Sequence, residues 1–157
     1  MIKIDDRFIE QTIQKAKGSP RLRMNYNFHN LEDPVNRLLN AMEPGTYIQP
    51  HKHEAPDRFE VFLCLKGRFL ILIFDDSGNI TDHTILDARK GKFGVEIPAK
   101  TYHSLASLES GSVAYEIKEG PYMPATAKNY APWAPAEGDP ATGTYLKKLL
   151  TQVGINQ

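Results

Sequence analysis

The nine residues GTYIQPHKH, numbered 45–53, decide the fold of this chain. They end in two histidines, His51 and His53, which are two positions apart. On a β-strand, alternate side chains point to the same face, so both imidazoles would face one side with their Cα atoms roughly 6.5–7 Å apart. Both rings could then reach one ion between them. The spacing therefore predicts half of a metal site on a strand.

Further metal ligands are available downstream. Glu60 lies in RFEVFL, residues 58–63, and His103 ends IPAKTYH, residues 97–103. Two other acids, Glu54 and Asp57, compete with Glu60 as the carboxylate ligand. Residues 54–57, EAPD, are typical of a turn, which favours Glu60.

The order of these residues resembles the first motif of the cupin family, which reads glycine, five residues, histidine, one residue, histidine, three or four residues, glutamate, six residues, glycine. Gly45, His51, His53, Glu60 and Gly67 follow that order. The gap before the glutamate departs from the motif, because six residues separate His53 from Glu60. The interval from Glu60 to Gly67 fits.

The second cupin motif carries proline, one residue, glycine, two residues and histidine. Pro98 and His103 match it, whereas Lys100 stands where glycine is usual and Ser107 where the family has asparagine. The resemblance implies an all-β double-stranded β-helix, or jelly-roll barrel. It also implies one divalent transition metal ion per chain, bound by His51, His53, Glu60 and His103.

Longer stretches are similar to the WbuC-type cupin metalloproteins. That family is associated with bacterial surface-polysaccharide gene clusters of the O-antigen type, and its reaction is not established. The resemblance thus implies a scaffold and a biological setting without a substrate. The similar segments are residues 37–39, 74–78, 94–98, 116–122, 124–128 and 131–138.

Length and composition predict one cytoplasmic domain, residues 1–157. A chain of 157 residues with 41% hydrophobic content can bury one sizeable core. Its 19 basic and 19 acidic side chains cancel, which argues against nucleic acid as a partner. The single cysteine, Cys64, cannot form an internal disulfide, and neither a signal peptide nor a membrane-spanning run is evident. We therefore expect neither a membrane nor a nucleic-acid partner.

The chain divides into four segments. Residues 1–20 contain a helix, from about Asp6 to Lys17, because apolar residues recur there at helical spacing. Residues 21–118 show short strands between turns and form the barrel. Residues 119–140 are rich in proline and form an extended strap. A last helix over residues 141–154 is expected to have Asp139 as its N-cap and Pro140 at its first position.

Ligand type alone leaves the metal open among zinc, iron, nickel and manganese. Three histidines and one glutamate would fill four positions, so an octahedral ion would keep two positions for water, oxygen or substrate. Around that ion we expect Glu96 and Tyr102 as candidates for proton transfer. Arg21, Arg23, Arg37 and Lys118 are candidates for binding a substrate that is small, polar and anionic. The alternatives are a salt-bridged Glu96 and solvated arginines.

These features support three functional hypotheses. The first is a sugar or sugar-nucleotide isomerase or epimerase linked to surface-polysaccharide biosynthesis. The second is an iron-dependent dioxygenase, and the third is a non-catalytic, metal-dependent ligand-binding or regulatory protein. Because exposed strand edges need cover, we also expect a homodimer.

Overall fold

The computed structural model describes residues 1–123 and 128–155. The elements in chain order are α1 (Asp6–Lys17), β1 (Arg23–Asn27), β2 (Val35–Met42), β3 (His51–Lys52), β4 (Glu60–Lys66), β5 (Phe69–Phe74), β6 (Ile80–Leu86), a short 3₁₀ helix (Ala88–Lys90), β7 (Gly94–Ile97), β8 (Tyr102–Ser107), β9 (Ser112–Glu119), β10 (Asn129–Tyr130) and α2 (Thr142–Gln152).

The strands form two five-stranded sheets. The strand orders are β1-β2-β9-β4-β7 and β10-β3-β8-β5-β6, and neighbouring strands are antiparallel. The two sheets face each other around a shared interior. This arrangement confirms the predicted all-β jelly-roll barrel with one short helix at each end of the chain.

The barrel interior changes from polar to apolar along the strands. On β4, the inward side chains run from the polar Glu60 to Phe62, and on β8 they run from His103 to Leu105. Because side chains of one face recur every second residue, each inward position is two residues from the next. One end of the interior is therefore a hydrophobic core and the other end holds charged and polar groups.

The two helices cover outer faces of the barrel. On α1, Ile9 and Ile13 pack against Leu39 of β2 and Val113 of β9, and the Asp5 carboxylate caps the helix by accepting from the amide of Phe8 at 3.0 Å. On α2, three leucines pack on the outer side of β5. These contacts make each helix an apolar cover for one sheet.

The strap and the last helix differ from the expectation in two details. Residues 129–130 of the strap form a strand paired with β3, and Trp133 packs against Phe74 with ring centroids 5.2 Å apart. The predicted helix start was wrong, because α2 begins at Thr142 and has no side-chain cap. The Asp139 carboxylate instead accepts from the amide of Ala141 at 2.7 Å in the preceding turn. Residues 124–127 of the predicted strap lie outside the described residues.

No helix within residues 1–123 and 128–155 combines the length and the apolar character needed to cross a membrane.

Candidate metal centre and adjoining cavity

Three histidines and one glutamate from three strands meet in the polar half of the interior. His51 opens β3 and His53 follows it, Glu60 opens β4, and His103 lies on β8 directly opposite His51. One donor atom from each of the four residues lies within 4.8 Å of all the others, and all four side chains are buried. The structure thus brings together the four residues that the sequence indicated as metal ligands.

The two competing acids lie elsewhere. Glu54 pairs with Lys52 at 3.1 Å, and Asp57 pairs with Lys100 at 2.8 Å. Residues 54–57 form the expected turn, which loops out before β4 begins. The longer gap between His53 and Glu60 is therefore absorbed at the surface, and it leaves Glu60 as the acid of the cluster.

The orientation of the imidazole rings suits a metal ion. His51 Nδ1 lies 2.9 Å from the carbonyl oxygen of Gln49, and His103 Nδ1 lies 2.9 Å from that of Thr101. When Nδ1–H donates to a carbonyl, the Nε2 lone pair is left to bind an ion. His53 has both ring nitrogens buried without an aligned hydrogen-bond partner among the described residues, although its Nε2 lies 2.8 Å from Glu60 Oε1. A divalent ion would bind one ring nitrogen of each histidine, so the donor set fits a metal.

Lys118 sets the charge of the Glu60 carboxylate. Burial by itself would raise the pKa of Glu60, but the Lys118 ammonium group, 2.7 Å from Oε1, and the neighbouring histidines outweigh burial and hold that pKa well below its ordinary value. The reverse effect acts on Lys118. Burial lowers its pKa, whereas Glu60 and Glu116 raise it by more. Both partners are therefore charged near neutral pH.

His51 is held in the neutral form that binds metals. Burial lowers the pKa of His51 well below its ordinary value, and the positive charge of Lys128 and the neighbouring His103 act in the same direction. A neutral imidazole and an ionised carboxylate are the forms that a transition metal requires. The cluster is thus prepared for an ion near neutral pH.

A cavity of about 450 Å³ lies next to the cluster: Lys118 lines the cavity and donates to Glu60, whereas none of the four cluster residues lines it. It has the size of a small-molecule site. Of the residues expected to bind substrate, the cavity includes Arg21, Arg23 and Lys118. Arg23 is buried and donates to the Tyr47 carbonyl oxygen at 2.7 Å and to Glu137 at 2.5 Å. The cavity is lined by Arg21, Arg23, Asn25, Asn27, His29, Leu31, Asn36, Leu38, Asn40, Ile48, Glu116, Lys118, Tyr122, Lys128, Tyr130 and Glu137.

The expected positions of Glu96, Tyr102 and Arg37 were wrong. Glu96 is exposed on the outer face of β7, opposite Val61 of β4. Tyr102 lies on the outer side of β8 against Trp133, with ring centroids 5.7 Å apart.

Arg37 likewise projects from the outer side of β2, where it pairs with Asp33 at 3.2 Å. Each of the three directly adjoins an inward-facing residue, and strand alternation turns it to the other face. The sequence predicted that these three residues line the site. The alternation of side chains along each strand puts them on the outer face instead.

Three cavity residues were not anticipated from the sequence. Asn36 and Asn40 of β2 face the interior four positions apart, and Lys128 adjoins β10. In VNRLLNAM, residues 35–42, each asparagine is two positions from the buried Leu38 and so shares its face of the strand. This alternation is the signal that could have identified both asparagines. Lys128 lies in the strap, where no periodicity predicts which way a side chain points.

Comparisons with known proteins agree with this architecture. A family model described as a domain of unknown function, DUF6016, matches residues 4–86, which is more than half of the chain. No curated protein matches the chain.

Several solved structures are similar in fold. KdgF from Halomonas sp. is 16% identical with a TM-score of 0.50, over 64% of this chain and 82% of that chain. The capsular polysaccharide assembling protein CapF from Staphylococcus aureus is 18% identical with a TM-score of 0.55, over 68% and 28%. An oxalate decarboxylase from Lactobacillus farciminis, in a formate complex, is 14% identical with a TM-score of 0.53, over 84% and 36%.

At these identities the likeness concerns the fold alone, and the match spans only about a third of the two longer proteins. The neighbours and the two antiparallel sheets identify the fold as a cupin jelly roll. The chain therefore belongs to the family described as a domain of unknown function, DUF6016, and has the cupin fold.

Proposed function

We propose that this protein binds a small polar ligand on one divalent transition metal ion, held by His51, His53, Glu60 and His103. One observation carries the proposal: four buried donor atoms lie within 4.8 Å of one another beside a cavity of about 450 Å³. A bound ion would act as a Lewis acid toward an oxygen of the ligand.

The chain's own residues would orient that ligand. Lys118 keeps the Glu60 carboxylate ionised, and Arg21 and Arg23 contribute positive charge to the cavity. Arg23 is already committed to Glu137 and to the Tyr47 carbonyl oxygen. These contacts hold the cavity wall in place, and the guanidinium group adds positive charge to it.

Within this proposal, the ligand is a sugar or sugar nucleotide, and the protein belongs with the WbuC-type cupins of surface-polysaccharide gene clusters. The sequence similarity to those proteins supports this, as does the fold likeness to a capsular polysaccharide assembling protein. An isomerase or epimerase would need a proton acceptor other than Glu96, which faces outward. The outward positions of Glu96 and Tyr102 favour a second candidate, a non-catalytic metal-dependent binding protein.

Metal analysis tests the central proposal. The protein is purified without chelator, supplied with zinc, iron, nickel and manganese in turn, and assayed for bound metal. We expect one ion per chain in the wild type and none in His51→Ala. His83→Ala is the matched control, since His83 is an exposed histidine on β6. Absence of a stoichiometric metal from the wild type would contradict the proposal.

A ligand screen tests the carbohydrate part. Sugar nucleotides and sugar acids are added to metal-loaded wild type and to His51→Ala, and the melting temperature is recorded. A ligand held by the ion should stabilise only the wild type. Equal rises in melting temperature in both proteins would show that ligand binding does not depend on the metal.

We further propose one domain per chain, a cytoplasmic location and a homodimer. The reduced, buried Cys64 is compatible with the cytoplasm. For the dimer, the outer face of β4 beside the edge strand β7 exposes Leu63, Leu65 and Phe93, at 39%, 40% and 62% of their surfaces. An apolar face at a sheet edge favours association. Sedimentation of wild type and Phe93→Glu tests this, with a dimer expected only for the wild type.

A further inference from the structure

Two buried asparagine side chains in the cavity have oxygens without a hydrogen-bond donor. Asn36 is 2% exposed and Asn40 is 6% exposed, and both line the cavity. Neither Oδ1 atom accepts a hydrogen bond from any residue within the described ranges. Buried amide oxygens in folded proteins are nearly always hydrogen-bonded, so these two acceptors call for a partner.

The neighbouring groups fix the direction in which Asn40 presents its oxygen. Asn40 Nδ2 donates to Glu116 Oε2 at 3.1 Å. Because a carboxylate only accepts, the amide nitrogen must face Glu116 and Oδ1 must face the other way. The nearby Lys118 ammonium group donates to Glu60 at 2.7 Å and lies 3.7 Å from Glu116, and neither asparagine oxygen accepts a hydrogen bond from it.

The same wall continues toward the cavity rim. Asn25 of β1 lies opposite Asn40 in the strand register, and Asn27 lies opposite Leu38. Both β1 asparagines are exposed and line the cavity. Amides therefore follow one side of the cavity from its buried end to its opening.

Positive charge is also available to a ligand. Of the cationic groups that line the cavity, Arg23 and Lys118 are engaged in close ion pairs. Arg21 is 66% exposed in its side chain and lies 3.8 Å from Glu137, and Lys128 forms no ion pair with the residues that the structure describes. Arg21 and Lys128 are thus the cations best placed to receive an anionic group.

We propose that this cavity recognises a polyhydroxylated carboxylate, whose hydroxyl groups donate to Asn36 Oδ1 and Asn40 Oδ1 while its carboxylate faces Lys128 and Arg21. The asparagine oxygens call for a ligand with hydrogen-bond donors at its inner end, and hydroxyl groups supply such donors. The hydrocarbon end of an unsubstituted fatty acid offers no donor there. The inference deepens the proposed function. It rests on that function for one contact only, the contact between the ligand and the metal ion.

Three six-carbon probes separate the two recognition elements. D-Gluconate has a carboxylate and hydroxyls, hexanoate has the same carboxylate without hydroxyls, and D-glucitol has hydroxyls without the carboxylate. Titration calorimetry is performed on zinc-loaded wild type and on chelator-treated wild type. We expect gluconate to bind about tenfold or more tightly than hexanoate, since each lost hydrogen bond weakens binding by up to about that factor.

Substitutions then assign the effect to residues. Asn36→Leu and Asn40→Leu should each weaken gluconate about tenfold and leave hexanoate unchanged. Asn30→Leu is the matched control and should leave gluconate binding unchanged, because Asn30 is exposed and is not among the residues that line the cavity. Lys128→Met should weaken gluconate binding toward the affinity of glucitol, with Arg21 retaining part of the effect, and should leave glucitol unchanged.

Folding of the variants is checked by melting temperature. Because leucine removes an unsatisfied buried acceptor, Asn36→Leu should melt no lower than the wild type without ligand. If that variant does not fold, Asn36→Ala replaces it with the same expected loss of gluconate binding.

The outcomes separate this inference from the proposed function. Gluconate binding that persists without zinc and depends on Asn36 and Asn40 supports recognition by the cavity even if no metal is retained. Equal binding of hexanoate and gluconate overturns the inference, and so does unchanged gluconate binding in both leucine variants. Failure of gluconate to bind in the millimolar range overturns it as well, and solvent would then be the partner of the two oxygens.

Discussion

Lys118 Nζ lies 2.7 Å from Glu60 Oε1, and both side chains are buried in the interior of the barrel. The other carboxylate oxygen, Oε2, lies 3.0 Å from His103 Nε2. Oε1 therefore faces both the ammonium group and His53 Nε2, which lies 2.8 Å away, while Oε2 faces His103. A metal ion held by Glu60 would therefore share that carboxylate with the Lys118 ammonium group.

Replacement of Lys118 should increase the dependence of folding on metal. In Lys118→Met, the buried Glu60 loses its cation, and breaking a buried ion pair costs about 3–5 kcal/mol. A bound divalent ion would restore a positive charge beside the carboxylate. We therefore expect a large drop in the melting temperature of the metal-free variant and a zinc-induced rise that exceeds the rise in the wild type.

Lys66→Met provides the control for that prediction. Lys66 pairs with Glu10 at 3.4 Å, and both side chains are about half exposed. A surface pair of this kind contributes little to stability. An equal loss of stability in the two variants would show that the Lys118–Glu60 pair is not responsible.

The stability of the metal-free protein should fall as the pH drops below about 6.5. The folded-state pKa of His51 is lowered well below 6.5, chiefly by burial, so the unfolded chain binds a proton there that the folded chain does not. The free energy of unfolding then decreases with falling pH, by up to about 1.4 kcal/mol per unit, until the folded-state pKa is reached.

His51→Asn should remove this contribution and flatten the pH dependence between about pH 6.5 and 5.5. His83→Asn, at an exposed position on β6, should leave the slope unchanged. Urea unfolding of chelator-treated proteins at several pH values measures the difference. An identical slope in wild type and His51→Asn would contradict the assignment to His51.

Gly67 should be far less replaceable than Gly91. Both have a positive φ, 74° and 73°, so alanine is strained at either position. A Cβ at Gly67 would also lie 2.7 Å from the Ser112 Cα atom, whereas nothing lies within 4 Å of one at Gly91.

Gly91→Ala should therefore cost about 1 kcal/mol of unfolding free energy, and Gly67→Ala about 3 kcal/mol or more, because the backbone of β9 must move. Denaturant unfolding of the two variants measures the difference. If the costs are equal, conformational strain alone accounts for them and the close approach to Ser112 is unimportant.

Loss of the outward-facing acid should leave metal binding intact. Glu96→Gln and Glu60→Gln remove the same charge from neighbouring strands, but Glu96 is exposed and Glu60 is buried in the cluster. We expect the bound metal per chain to be unchanged in Glu96→Gln and strongly reduced in Glu60→Gln, since an amide is a poorer ligand for a transition metal ion. Metal loss from both variants would indicate that the outer face supports the site.

The sequence by itself determined the barrel and the membership of the metal-ligand cluster. His51 and His53 are two apart, and this spacing puts both rings on one face wherever the strand lies. The turn residues 54–57 favoured Glu60 over Glu54 and Asp57, and the structure then showed both of those acids outside the cluster. Such features are local, because they depend on the alternation of side chains and on the geometry of turns.

Only the tertiary structure decided which other residues share the interior with that cluster. Lys118 lies 58 positions from Glu60 in the sequence, and the pairing of β4 with β9 brings them into contact. The pairing of β7 with β4 leaves Glu96 on the outer face, and the pairing of β2 with β9 puts Asn36 beside Lys118 in the interior. Sequence proximity cannot reveal such relationships, because strand pairing across the sheet, and the face that each strand buries, are set by packing of the whole barrel.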